Sequence, residues 1–207
     1  MAAPTTVPPA GARTEILRPG SWKKAEIRLV EARDGDVILK DWRGAPGWLR
    51  PLATRLFRHE ERVYRDLAGV EGIPRLLGAG DRVLALERIP GRTIGRVASQ
   101  GEAPEVAHRL ERVVRDMHEA GVYHADLRKR DNILVTGDGR VGIVDFASAI
   151  RIGRLGLLGR CLRPILEMVD HYAVLKWKGI LAPTEITPAE RRLVRLLDLL
   201  RLRPLRR

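Results

Sequence analysis

Residues 132–135 and 141–146 are two short apolar runs on either side of Gly137-Asp138-Gly139, a pattern that reads as an antiparallel hairpin. A second such pattern lies earlier, where the runs 26–31 and 36–42 flank Arg33-Asp34-Gly35. Between the hairpins come segments of a different period. A loop over 43–51 leads into a helix through about Leu67, with Leu52, Leu56, Val63 and Leu67 roughly on one side. Val83 to Ile89 reads as a strand closed by Pro90-Gly91, and a helix from about Pro104 carries Val106, Leu110, Val113, Val114 and Met117 at helical spacing, with Gly121 as its stop. Hairpins bracketing amphipathic helices make an α+β chain with antiparallel sheet. Near the end, Thr187-Pro188-Ala189-Glu190 is a capping box with proline at the first helical position, followed by Leu193, Leu196, Leu197 and Leu200 on one face. No internal repeat of the solenoid kind is present.

With 207 residues and 44% apolar content, the chain can bury the core of one domain or of two small lobes. Residues 1–13, rich in proline, alanine and threonine, read as a disordered tail. One cysteine, Cys161, excludes an internal disulfide framework or a thiolate zinc cage and fits a reducing cytoplasm. No window reaches eighteen uninterrupted apolar residues, and Pro4, Pro8 and Pro9 interrupt the start of the chain, so neither a spanning helix nor a secretory signal is expected. The formal charge of +12 calls for an anionic partner without choosing one. Residues 154–207 hold twelve basic against five acidic side chains, which concentrates the surplus late in the chain.

The chemistry-bearing residues form an ordered series: Val37-Ile38-Leu39-Lys40, His124-Ala125-Asp126-Leu127, Asn132-Ile133-Leu134-Val135 and Val144-Asp145-Phe146-Ala147. In order and spacing this series resembles the protein-kinase-like phosphotransferases, from about Ile27 to Ala149. The resemblance implies a bilobal fold, with an antiparallel N-lobe sheet over about 14–90 and a mainly helical, truncated C-lobe over about 91–207. It also implies ATP and Mg²⁺ as cofactors. Phosphoryl transfer needs a polyanion neutralised and a hydroxyl aligned, which explains the residue types. By the resemblance, Lys40 contacts the α and β phosphates, and Glu60, 20 residues on, pairs with it. Glu61 is the alternative, but Glu60 stands four and seven residues before Tyr64 and Leu67, as in the family's helix. Asp126 receives or orients the acceptor proton, Asp145 holds Mg²⁺, and Arg128 touches the transferred group.

Several departures qualify the match. The family places its metal-binding asparagine five residues after the catalytic aspartate, whereas here the fifth residue is Asp131 and the sixth is Asn132. Counted back from Asp145, Asn132 keeps the family spacing, so it is assigned to the metal, with Asp131 as alternate and an inserted residue within 128–131. The nucleotide loop, 19–25, has one glycine, Gly20, and Lys23 or Lys24 can substitute by charge for backbone cradling. Leu86 lines the base pocket, and backbone groups of Glu87 to Ile89 read the adenine edge. Ala147 replaces the glycine of D-F-G, which makes the metal segment less able to flip. No A-P-E follows at its usual place. Such trimming resembles the RIO-like and lipopolysaccharide-core sugar kinases.

Outside that series, His124 reads as bracing the catalytic loop and His118 as packed at a helix end. Asp170 is either an anchor for the catalytic-loop backbone or a plain surface carboxylate. The expected activity is serine/threonine protein kinase, with a core-sugar kinase as the alternative acceptor class and a non-catalytic nucleotide-binding scaffold as the competitor. The arginine-rich terminal helix reads as a solvated face docking its leucines, or as peripheral adhesion to anionic lipid at the inner membrane face. Nucleic acid is the less favoured partner.

Overall fold

The computed structural model describes residues 13–21, 24–31, 35–153 and 156–200. Residues 1–12 of the expected tail 1–13, Lys23, and the turn residues Arg33 and Asp34 lie outside them, while Arg13 is the first residue of a strand. The protein is α+β, with an antiparallel sheet and, among the described residues, five α-helices. It divides into two compact units. The first runs through Ile89 and takes back Asp145–Ala149; the second holds Pro90–Val144 and continues from Ile150.

The first unit is built on strands β1 (Arg13–Arg18), β2 (Glu26–Glu31), β3 (Val37–Asp41), β4 (Leu76–Gly80) and β5 (Val83–Glu87), in the order β1-β2-β3-β5-β4 with antiparallel pairing throughout. Val30, Leu39, Val83 and Ala85, with Val37 and Leu77 against them, form a cluster on the sheet. Alternation along β3 puts Lys40 on the face opposite Leu39. Helix α1 (Arg50–Asp66) packs on β4, β5 and the 3₁₀ turn Phe146–Ser148. Its buried face is Ala53, Phe57, Glu60, Val63 and Tyr64. Leu52, expected on the apolar side, is instead 49% exposed, because the helix begins at Arg50 and rotates that first turn outward.

The second unit adds β6 (Gly91–Thr93), α2 (Ile94–Ala98), α3 (Pro104–Glu119), β7 (Val122–Tyr123), β8 (Ile133–Thr136), β9 (Val141–Ile143), β10 (Ile150–Arg151), α4 (Gly156–Leu181) and α5 (Pro188–Leu200). Helix α3 buries Val106, Leu110, Val113, Val114 and Met117 as its period requires, and Gly121 ends it with φ +76°. The β8–β9 hairpin packs on α3, which lies against α4. At the start of α5 the Thr187 hydroxyl accepts the Glu190 amide at 3.2 Å, and the Glu190 carboxylate accepts the Thr187 amide at 2.7 Å. Among the described residues, no helix is long and apolar enough to cross a membrane.

Candidate active site

In the first unit β3 and α1 bring together three charges that are distant in sequence. Lys40 is only 4% exposed and Glu60 fully buried. The Lys40 ammonium donates to Glu60 Oε1 at 2.6 Å and to Asp145 Oδ1 at 2.8 Å. Glu60, not Glu61, is therefore the partner; Glu61 is half-buried and pairs with Arg65 at 2.7 Å. Burial pushes the Lys40 ammonium down, but the pull of Glu60 and Asp145 and their hydrogen bonds outweigh it, and its pKa lies above the ordinary lysine value. Burial raises Glu60 above the ordinary carboxylate value, against the opposing effect of Lys40. The two directions have different main causes: the paired carboxylates raise Lys40, whereas burial raises Glu60.

Asp145 sits in the left-handed region at φ +67°, which costs a residue with a Cβ on the order of 1–2 kcal/mol. Helix α1 pins the segment that follows. The Phe146 ring meets Tyr64 edge to face at 5.3 Å, and His59 Nε2 lies 2.8 Å from the Ala149 carbonyl oxygen. The positive φ in this segment belongs to Asp145 rather than to Ala147, which explains how alanine is accommodated where the family has glycine. Burial, with the nearby charge of Glu60 and Asp145, pushes the Tyr64 hydroxyl well above 10 and keeps it protonated.

Arg18, at the end of β1, is a residue the sequence reading missed. Its guanidinium lies 3.9 Å from Asp145 Oδ2, so the two oxygens of Asp145 each face a cation. After Arg18 the chain makes a tight turn in which the Ser21 amide donates to the Lys24 carbonyl at 2.9 Å and the Lys24 amide to the Ser21 carbonyl at 3.2 Å. Gly20 is needed there because a Cβ would stand 3.2 Å from Glu26 Cβ. Gly20 and Lys24 line a cavity of about 520 Å³ with Glu26, Asp41, Trp42 and Leu52; neither Lys40 nor Asp145 borders it. Leu86 is buried in β5. The Glu87 amide donates to the Arg75 carbonyl at 2.9 Å and the Arg88 amide to the Asp36 carbonyl at 3.2 Å, which narrows the amides able to meet a base edge to that of Ile89.

In the second unit the loop after β7 is held from several sides. Asp170, from α4, is fully buried and accepts the His124 amide at 2.8 Å and the Ala125 amide at 2.9 Å, with His118 Nε2 at 3.0 Å. Of the two readings weighed for Asp170, the anchor is the one present. Ala125, at φ +62°, is the strained residue it fixes. His124 is buried with Nε2 3.1 Å from the Val144 carbonyl, and the Trp177 indole donates to the Leu127 carbonyl at 3.1 Å. Asp126 is half-buried and its carboxylate pairs with Lys129. Arg128 is exposed and lies over the Tyr172 ring at 5.9 Å. Asn132 is buried and donates through Nδ2 to the Asp126 carbonyl at 3.0 Å, whereas Asp131 is exposed. The Val144 amide donates to the Asn132 carbonyl at 2.9 Å, one residue before Asp145.

No model of a known protein family matches the sequence, and no curated protein matches it.

Proposed function

We propose that the chain is an ATP- and Mg²⁺-dependent phosphotransferase with a bilobal protein-kinase-like fold, transferring the γ-phosphoryl group to a hydroxyl. The observation that carries the reading is Lys40, buried on a strand and bonded at once to Glu60 and Asp145. Two carboxylates around one buried ammonium add little to stability and are expensive to desolvate, so the arrangement favours a functional over a structural origin. Lys40 then serves the α and β phosphates and Glu60 keeps it in place. Arg18 takes the phosphate-facing role that a glycine-rich loop has elsewhere.

Of the residues expected to hold the cation, Asp145 belongs to the first unit and Asn132 to the second. A carboxylate and an amide oxygen are hard ligands of the type Mg²⁺ prefers, and the ion keeps several waters, so no larger protein cage is required. With its Nδ2 committed to the Asp126 carbonyl, the Asn132 side chain has its oxygen left for a metal. Bound Mg²⁺ supplies charge neutralisation of the β and γ phosphates. Asp126 orients the acceptor hydroxyl and takes its proton, while Lys129 beside it offsets negative charge that builds on the transferred group.

The acceptor is a protein serine or threonine hydroxyl, with a core sugar as the alternative. Incubation of the purified protein with labelled ATP and Mg²⁺, with itself, a general protein acceptor and core oligosaccharide, tests the reading. Label transfer that Asp126→Ala abolishes supports an enzyme. Nucleotide binding without transfer to any acceptor would assign the chain to the nucleotide-binding scaffolds.

A further inference from the structure

The outward face of α1 carries a row of arginines. Arg55, Arg58, Arg62 and Arg65 follow at steps of three, four and three, all exposed, on the side of the helix opposite Ala53, Phe57, Glu60, Val63 and Tyr64. Arg65 pairs with Glu61, but Arg55, Arg58 and Arg62 have no ion pair or hydrogen bond among the described residues. The exposed acid on the helix, Asp66, stands at its far end and is itself partnered. The row spans about 15 Å. At its N-terminal end Arg50 is also exposed, and two apolar side chains stand in solvent: Trp48, 77% exposed, and Leu52, 49% exposed.

Local stability does not account for this face. Like charges three and four residues apart repel, and α1 has three such neighbouring pairs. It also has no acidic residue in its first turn and no side-chain cap, so cations crowd the positive end of its dipole. The outer face of α3, a helix of similar length, instead mixes Glu105, His108, Arg112, Arg115 and Glu119. Breaking several local rules on one exposed face marks it as a contact surface.

We propose that this face docks on an anionic lipid bilayer, with the arginines on lipid phosphates and Trp48 and Leu52 at the headgroup level. A cationic row complements any polyanion, but the exposed apolar pair at its end adds what a bilayer offers and a phosphodiester backbone does not: an apolar layer directly beneath the phosphates. The proposal does not rest on the phosphotransferase reading.

The test is co-sedimentation of the full chain with phosphatidylglycerol–phosphatidylcholine vesicles against phosphatidylcholine alone, over a salt series. Binding should require the anionic lipid and weaken with salt. With about fivefold per arginine, Arg55→Gln/Arg58→Gln/Arg62→Gln should lower partitioning about a hundredfold. Tryptophan emission should shift to the blue on vesicle binding, and Trp48→Phe should remove most of that shift, a readout that stands even if the triple variant folds poorly. Unchanged partitioning of a folded triple variant, or a blue shift that survives Trp48→Phe, would overturn the proposal. So would binding of a duplex or single-stranded oligonucleotide that the triple variant loses while vesicles are ignored.

Discussion

Replacing Lys40 by methionine removes the cation that Glu60 and Asp145 share. At 2.6 and 2.8 Å, and with an effective dielectric of 20, each contact represents about 6 kcal/mol of attraction, offset by several kcal/mol of desolvation per buried ion. What matters is what remains. Asp145 is 30% exposed and can rehydrate, but Glu60 is fully buried and would be left without its cation. Lys40→Met should therefore destabilise by about 3–5 kcal/mol, a large part of an ordinary domain's stability. Adding Glu60→Leu removes the stranded charge, and the double variant should recover to within about 1 kcal/mol of the parent. Urea denaturation of the parent, the two single variants and the double variant measures this coupling.

A pH series sharpens it. The folded-state pKa of Glu60 lies above its ordinary 4.5, so its protonation favours folding below that value, and the favour is lost as pH rises through the raised pKa. The Lys40→Met deficit should accordingly shrink towards pH 4.5 and grow above it. A single variant as stable as the parent at pH 7 would refute the reasoning. A double variant as unstable as Lys40→Met alone would do the same, since volume rather than charge would then set the loss. On the role proposed for Lys40 at the phosphates, neither variant should bind nucleotide.

Arg18→Ala should weaken Mg-ATP binding about tenfold to a hundredfold by calorimetry while leaving the urea midpoint unmoved, the size expected for one charge-assisted phosphate contact. Asp170→Asn turns an amide towards either the His124 or the Ala125 N–H, and should destabilise by about 2 kcal/mol and slow label transfer without changing nucleotide affinity. Burial acts to raise Glu190, but the Thr187 amide and the Lys178 ammonium outweigh it and hold its pKa at about 2. The capping box therefore contributes stability above pH 4.5 and loses it as pH falls from there towards 2. Faster amide exchange at Arg191 in that window, matched at neutral pH by Thr187→Ala with a loss of about 1 kcal/mol, would show it.

The parts of the fold legible in the sequence are those in which one face is wet and the other dry. Helix α3 and strand β8 have that contrast; the hairpins are marked in the sequence by their glycine-containing turns and the start of α5 by its capping box, and all lie where those signals put them. Strand β1 was invisible because five of its six residues are exposed, which leaves no alternation to read. Strand β4 is Leu-Leu-Gly-Ala-Gly, a composition that speaks against a strand until β5 pairs with it. Helix α4 fails in the opposite way. Tyr172, Ala173, Val174 and Leu175 are buried in succession, which erases the helical period, and Pro164 interrupts the earlier part. In the site, Glu60 could be chosen over Glu61 because a helical offset separates them. Lys129 and Arg18 could not be found: one depends on the path of the loop after Asp126, the other on a strand with no signal.

Two of the residues with left-handed backbone angles are held by side chains distant in sequence. Ala125 and Asp145 adopt backbone angles that favour glycine, and neither would stay there in a short peptide. Ala125 is kept by Asp170, which takes its amide and that of His124 from one buried carboxylate. Asp145 is kept by Lys40 at its side chain and by Tyr64 and His59 at the residues that follow. The holders come from α4 in one case and from β3 and α1 in the other, elements far from these residues in sequence. Conformation at Asp145 is thus imposed by tertiary contacts, so alanine at 147 leaves the carboxylate in place without the local freedom a glycine would supply.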